Sequence, residues 1–127
     1  FISQALQNKP ITIYGDGSQT RTFCYVTDNI DATIKALNDD LFVNDVINIG
    51  GETVISILEL AELIIRLTNS DSEITFLDPL KDGDMTRRQP DNSKMKAILG
   101  RELMTVEDGI KKLLVDPIFI QQMELKG

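Results

Sequence analysis

The chain has 127 residues, 42% hydrophobic and 26% charged, which is the size and balance of one folded domain, so residues 1–127 are read as a single domain. It contains no histidine and one cysteine, Cys24, which excludes histidine-based catalytic triads, thiolate zinc sites and internal disulfides. A net charge of −7, from 20 acidic and 13 basic residues, argues against nucleic acid or an anionic membrane as a partner. No apolar run approaches the ~20 residues of a membrane span, and the expected location is cytoplasmic. The chain opens on Phe1 inside a helical pattern, and the expectation is that it belongs to a longer protein.

Ile2, Ala5 and Leu6 share one face of a short helix that Lys9-Pro10 stops. Ile11 to Tyr14 alternates as a strand, and Gly15-Asp16-Gly17-Ser18 is a turn with two positions free to take positive φ. Arg21 to Val26 reads as a second strand. Thr27 or Asp28 then caps a helix whose stripe of Ile30, Ile34 and Leu37 is expected in the core. Val46 to Ile49, closed by Gly50-Gly51, reads as a short buried strand.

Ser56 and Glu59 have the spacing of a capping box, opening a helix that buries Leu60, Leu63, Ile64 and Leu67. Glu73 to Leu77 is a further strand, and Asp78 to Asn92 a long polar loop. Ser93 caps a short helix ending at Gly100, and Thr105 caps another carrying Val106, Ile110, Leu113 and Leu114. The tail from Pro117 is expected to dock first and fray at its end. The fold class is therefore α/β, a small sheet with flanking helices.

Two features carry chemistry. In Tyr14-Gly15-Asp16-Gly17-Ser18-Gln19-Thr20-Arg21 a glycine turn admits close backbone approach while Arg21 offers a permanent forked charge suited to phosphate oxygens. The same residues also suit a plain hairpin turn beside a solvated arginine, and both readings stand. Arg87-Arg88-Gln89-Pro90-Asp91 places two of the five arginines side by side in an acidic chain. An anionic partner would relieve their repulsion, and so would Asp82, Asp84 and Asp91. The carboxylate pairs Asp39-Asp40 and Glu107-Asp108 lie at helix ends and receive no catalytic role; Cys24 reads as a small buried group.

The ordered set of Pro10 to Val26 with its Tyr-Gly-Asp-Gly block, Ile47-Asn48-Ile49-Gly50-Gly51, Ile57-Leu58-Glu59-Leu60-Ala61, Arg88-Gln89-Pro90-Asp91, Ser93-Lys94 and Leu99-Gly100 resembles the C-terminal lobe of the extended short-chain dehydrogenase/reductases that modify nucleotide sugars. Within that family the UDP-glucuronate decarboxylases, which are lyases, are the nearest subgroup; dTDP-glucose 4,6-dehydratases and nucleotide-sugar 4-epimerases share similar blocks. Two departures stand out: Gly83-Asp84-Met85 replaces the decarboxylases' usual Asp-Asp-Pro, and no Tyr-x-x-x-Lys is present, since Tyr14 is followed by Ser18 and Tyr25 by Asn29.

The resemblance implies a substrate-binding lobe for a UDP- or dTDP-sugar, with Tyr14 near the nucleoside, Gln19 and Arg21 near the ribose and diphosphate, Arg88 on the diphosphate and Arg87 beside it. It implies that NAD, which oxidises the sugar at C4, is held by an N-terminal Rossmann domain outside this sequence and not by this chain, and that the whole protein is a homodimer. On this reading the chain alone catalyses nothing. The rival from another class is a stand-alone, non-catalytic binding or docking module.

Overall fold

The structure is a computed structural model that describes residues 1–38, 42–80 and 87–124, the side chains of Arg88 and Glu124 excepted. In chain order the elements are α1 (Ile2–Leu6), β1 (Ile11–Tyr14), β2 (Thr20–Thr22), α2 (Val26–Asn38), β3 (Val54–Ser56), α3 (Ile57–Thr68), β4 (Ile74–Leu77), β5 (Arg87–Arg88), α4 (Ser93–Leu99), α5 (Val106–Leu114) and α6 (Pro117–Glu124). This is the expected α/β class, but the strands form two small sheets. β1 pairs parallel with β4, Ile11 opposite Ile74 and Tyr14 opposite Leu77. The second sheet has the order β3-β2-β5, antiparallel on one side of β2 and parallel on the other.

The best-specified helix is α3. Ser56 accepts from the Glu59 N–H, and Glu59 returns the bond to the Ser56 N–H, so the capping box read from the sequence is complete. Ala61 and Ile64 are buried, and Leu60, Leu63 and Leu67 pack against the cluster they join with Ala5, Ile11, Ile13 and Ile110. Thr105 caps α5 by accepting from the Asp108 N–H, and Gly100 closes α4 in the left-handed conformation. A second cluster, Ala32, Met95 and Leu99, joins α2 to α4, with Cys24, Ile47 and Ile49 packed on it.

Several expectations are corrected. The glycine turn does not close a hairpin, because β1 and β2 lie in different sheets. β2 covers only Thr20–Thr22 and not Arg21 to Val26, since its antiparallel partner β3 begins at Val54, opposite Thr22, and Val26 already belongs to α2. α2 starts earlier than its expected cap, at Val26. Asp28 is drawn inside at 1% exposure, where Arg101 and the Met104 N–H bond its carboxylate.

The stripe of Ile30, Ile34 and Leu37 is not core: these residues are 48%, 50% and 75% exposed, because α2 meets α4 through the face that carries Ala32. Val46 to Ile49 forms no ladder among the described residues, and the strand in this region is β3 instead. Ser93 is the first residue of α4 and not its cap; Asp91 accepts from both its N–H and its hydroxyl. The long loop is interrupted by β5, and its Asp82, Gly83, Asp84 and Met85 lie outside the described residues, as do Asp39 and Asp40. The tail forms α6, whose first turn is held by Asp116 accepting from the Ile118 and Phe119 N–H groups.

Candidate functional site

At the C-terminal ends of the parallel pair β1–β4, where open α/β sheets characteristically receive ligands, lies a cleft of about 860 Å³. Tyr14, Gly15, Asp16, Ser18 and Gln19 form one wall, and Phe76 to Leu80 the other. Tyr14 and Phe76 are half-exposed there, at 48% and 51%, giving the cleft two aromatic surfaces. Gly15 and Gly17 both take positive φ, 75° and 77°, as the sequence anticipates for this turn. A Cβ on Gly17 would come within 3.0 Å of Leu58 Cβ, so the turn presses directly on α3.

That contact uses the start of α3. The Ile57 N–H donates to the Gln19 carbonyl and the Leu58 N–H to the Gly17 carbonyl, while Glu59 is bonded to Ser56. The N-terminal donors of α3 are therefore satisfied within the chain and present no open anion site. The turn is braced again by Asp16, which accepts from the Ser18 N–H and hydroxyl, bonds that hold its carboxyl below the ordinary carboxylate range. Gln19 donates from Nε2 to the Tyr14 carbonyl at 3.0 Å. The Gln19 amide thus shapes the mouth of the cleft it lines.

A second cleft of about 490 Å³ is lined by Arg21, Thr22, Cys24, Asn48, Ile49, Gly50, Gln89 and Pro90. Arg21 and Arg88 are Cα partners in the parallel pair β2–β5. Two arginines far apart in the sequence thereby stand on adjacent strands, about 5 Å apart along the ladder direction. Arg87 is Cα partner to Thr20, and its Nη2 donates to Gln89 Oε1 at 2.6 Å. Burial first, and then the nearby Asp28 charge, push the Cys24 thiol up, so it stays protonated and offers no nucleophile.

The sequence-derived residues thus fall into two groups joined by residues 14–22: Tyr14 and Gln19 line the first cleft, and Arg21 lines the second, with Arg87 and Arg88 on the adjacent strand β5. Phe76, Asn48 and Asn92 join these sites without belonging to either sequence motif. Asn48 does carry a signal, as the one polar side chain between two isoleucines that pack inward. The glycine turn lacks the geometry of a dinucleotide-binding fingerprint. The glycine turn leads into strand β2 and not a helix, and the N–H groups it meets on α3 are already bonded.

Residues 1–50 match the model of the NAD dependent epimerase/dehydratase family. Over those residues the chain carries the pattern of that family. It is 41% identical over 115 residues to UDP-glucuronic acid decarboxylase 1 of Danio rerio, covering 90% of this chain and 27% of that protein. It superposes with a TM-score of 0.80 at 32% identity on the crystal structure of UDP-glucuronic acid 4-epimerase from Bacillus cereus in complex with UDP-glucuronic acid and NAD, over 96% of this chain and 38% of that one. A dTDP-glucose 4,6-dehydratase from Bacillus anthracis, in complex with NAD, gives 0.80 at 28% identity, over 98% of this chain and 38% of that one. The chain therefore spans roughly a third of the length of these family members. Among the described residues no helix is long and apolar enough to cross a membrane.

Proposed function

We propose that this chain is the substrate-binding lobe of an NAD-dependent nucleotide-sugar-modifying enzyme, of the UDP-glucuronate decarboxylase kind, and that it holds the nucleotide diphosphate. The observation that carries this reading is the β2–β5 register, which sets Arg21 beside Arg88 in a chain that is otherwise acidic. Guanidinium forks on neighbouring strands suit a diphosphate, whose oxygens accept charge-assisted bonds from two sides. Tyr14 lines the first cleft with an exposed aromatic ring, which supports a role at the nucleoside. The decarboxylase relative and the epimerase of known structure are both named for UDP-glucuronic acid, which favours a UDP-sugar carrying a carboxylate, and the higher identity to the decarboxylase, 41% against 32%, favours the decarboxylase kind.

The chain's contribution to the reaction is positional. Binding energy from a non-reacting diphosphate orients the sugar toward groups outside this sequence, and the NAD that performs the redox chemistry is held there too. The partner surface for that other half is the face of α2 bearing Val26, Ile30, Ile34 and Leu37, a helical stripe that the described residues leave uncovered. The adjoining segment 46–49 has strand character but no ladder partner among the described residues, which suits the same contact.

The test is Arg88→Ala in the full-length native protein. Losing one charge-assisted bond to the diphosphate corresponds to an increase in KM of about 10- to 100-fold. The rise in KM should exceed the fall in kcat, and an unchanged KM overturns the assignment.

A further inference from the structure

The segment carrying the adjacent arginines has little ladder to hold it, since β5 is two residues long. Its anchorage comes from the other side. Asn48 Nδ2 donates to the Asp91 carbonyl at 3.1 Å, and Asn92 Nδ2 donates to the Gly50 carbonyl at 2.9 Å, so segments 48–50 and 91–92 are clipped reciprocally. Next to these bonds Pro90 packs against Gly50, where an added Cβ would come within 2.5 Å of Pro90 Cγ. Segment 48–50 is itself rooted: Ile47 and Ile49 pack against Ala32, Met95 and Leu99, and Gly51 abuts the Phe23 carbonyl.

Asn92 shows that this clip is a separate use of the side chain. It is the N-cap residue of α4, a position where asparagine ordinarily accepts from the helix, yet it makes no capping bond. Asp91 accepts from the Ser93 N–H instead, and the Asn92 amide reaches across to Gly50. The consequence falls on Arg87 and Arg88, which lie between the undescribed residues 81–86 and the clip. An arginine fork delivers its full bond strength only if its backbone is already in place when the ligand arrives.

We propose that Asn48 and Asn92 are positioning residues that hold the Arg87–Pro90 segment against β2, so that Arg88 stays beside Arg21 in the geometry a diphosphate requires. This rests on the diphosphate reading above, and the test separates the two. In the full-length native protein, UDP affinity is measured by calorimetry for Asn48→Ala, Asn92→Ser, Arg88→Ala and the double variant Asn92→Ser/Arg88→Ala. Serine remains a good N-cap but is too short to reach Gly50, so Asn92→Ser should keep the melting temperature within about 2 °C of wild type.

The expected result is a rise in the UDP Kd of about 5- to 10-fold for each asparagine variant, the size of one lost hydrogen bond of ordinary strength. In the Arg88→Ala background, Asn92→Ser should add less than about twofold, because residues that act through one another are not additive. The proposal is overturned if Asn92→Ser, folded, leaves the UDP Kd unchanged, or if its effect multiplies in full with that of Arg88→Ala. If Arg88→Ala alone leaves the Kd unchanged, the diphosphate reading itself fails. Should Asn48→Ala not fold, the two Asn92→Ser variants decide the matter.

Discussion

Asp28 and Arg101 join α2 to the connection between α4 and α5, with Asp28 Oδ1 accepting from Arg101 Nη1 at 2.6 Å. The aspartate is 1% exposed, and its other oxygen accepts from the Met104 N–H at 2.8 Å. Arg101 also bridges to Asp31 at 2.7 Å, so one guanidinium serves two carboxylates on successive turns of α2. Removing the buried carboxylate strands the Met104 N–H and leaves a void. Asp28→Ala should therefore cost about 2–4 kcal/mol, read as a lower urea midpoint at unchanged slope. Arg101→Ala should also destabilise, by leaving the buried charge unpaired. A midpoint unmoved in Asp28→Ala would show that this link carries no stability.

Asp28 also shows where reading the sequence succeeds and where it stops. The capping box at Ser56 and Glu59, the Thr105 cap and the Gly100 terminus are local, set by residues within one turn, and all are legible from spacing alone. The periodicity of Ile30, Ile34 and Leu37 identifies an apolar face but not what covers it, and here the described chain covers the opposite face. Strands of two to four residues carry almost no internal signal, because their identity lies in a partner distant in the sequence. Arg21 and Arg88 are each visible as unusual arginines; their adjacency is a property of the β2–β5 register and could not be read from either segment alone.

Among the described glycines, Gly51 has the closest neighbours. A Cβ there would lie 1.9 Å from the Phe23 carbonyl oxygen and 2.6 Å from its carbon, and backbone cannot yield as a flexible side chain does. Gly51→Ala should destabilise by about 3 kcal/mol or more, in the range that marks a forced backbone displacement. Gly15→Ala makes the contrast. Nothing lies within 4 Å of its Cβ, and its φ of 75° alone should cost about 1 kcal/mol. Equal losses by chemical denaturation would contradict this ordering.

Glu107 ties α5 to α3. It accepts from Lys111 Nζ at 2.8 Å and Arg66 Nη2 at 3.0 Å, and these two cations hold its carboxyl down at about 2. A folded-state pKa below the ordinary value of 4.5 contributes stability that is fully present above 4.5 and lost as the pH falls toward 2. The group is solvated and the contribution is correspondingly screened. Urea midpoints should fall between pH 5 and about pH 2.5, and Glu107→Gln should make that fall shallower. A fall of the same size in both proteins would assign the acid sensitivity to other carboxylates.

The uncovered stripe on α2 bears on how the chain behaves when expressed alone. Val26, Ile30, Ile34 and Leu37 recur at helical spacing and are 57%, 48%, 50% and 75% exposed, a continuous apolar face of a kind that isolated soluble domains seldom present. If the other half of the enzyme covers this face, its absence leaves a second copy of the chain as the available apolar surface. The 127-residue chain should then self-associate with a concentration-dependent sedimentation coefficient. The triple variant Ile30→Gln/Ile34→Gln/Leu37→Gln should sediment as a monomer and keep its helical circular dichroism, since none of the three side chains belongs to the packed clusters. In the full-length protein the same three changes should lower stability if the stripe is buried there against the other half. A chain that stays monomeric at every concentration, or full-length protein indifferent to the triple variant, would remove α2 from the interface.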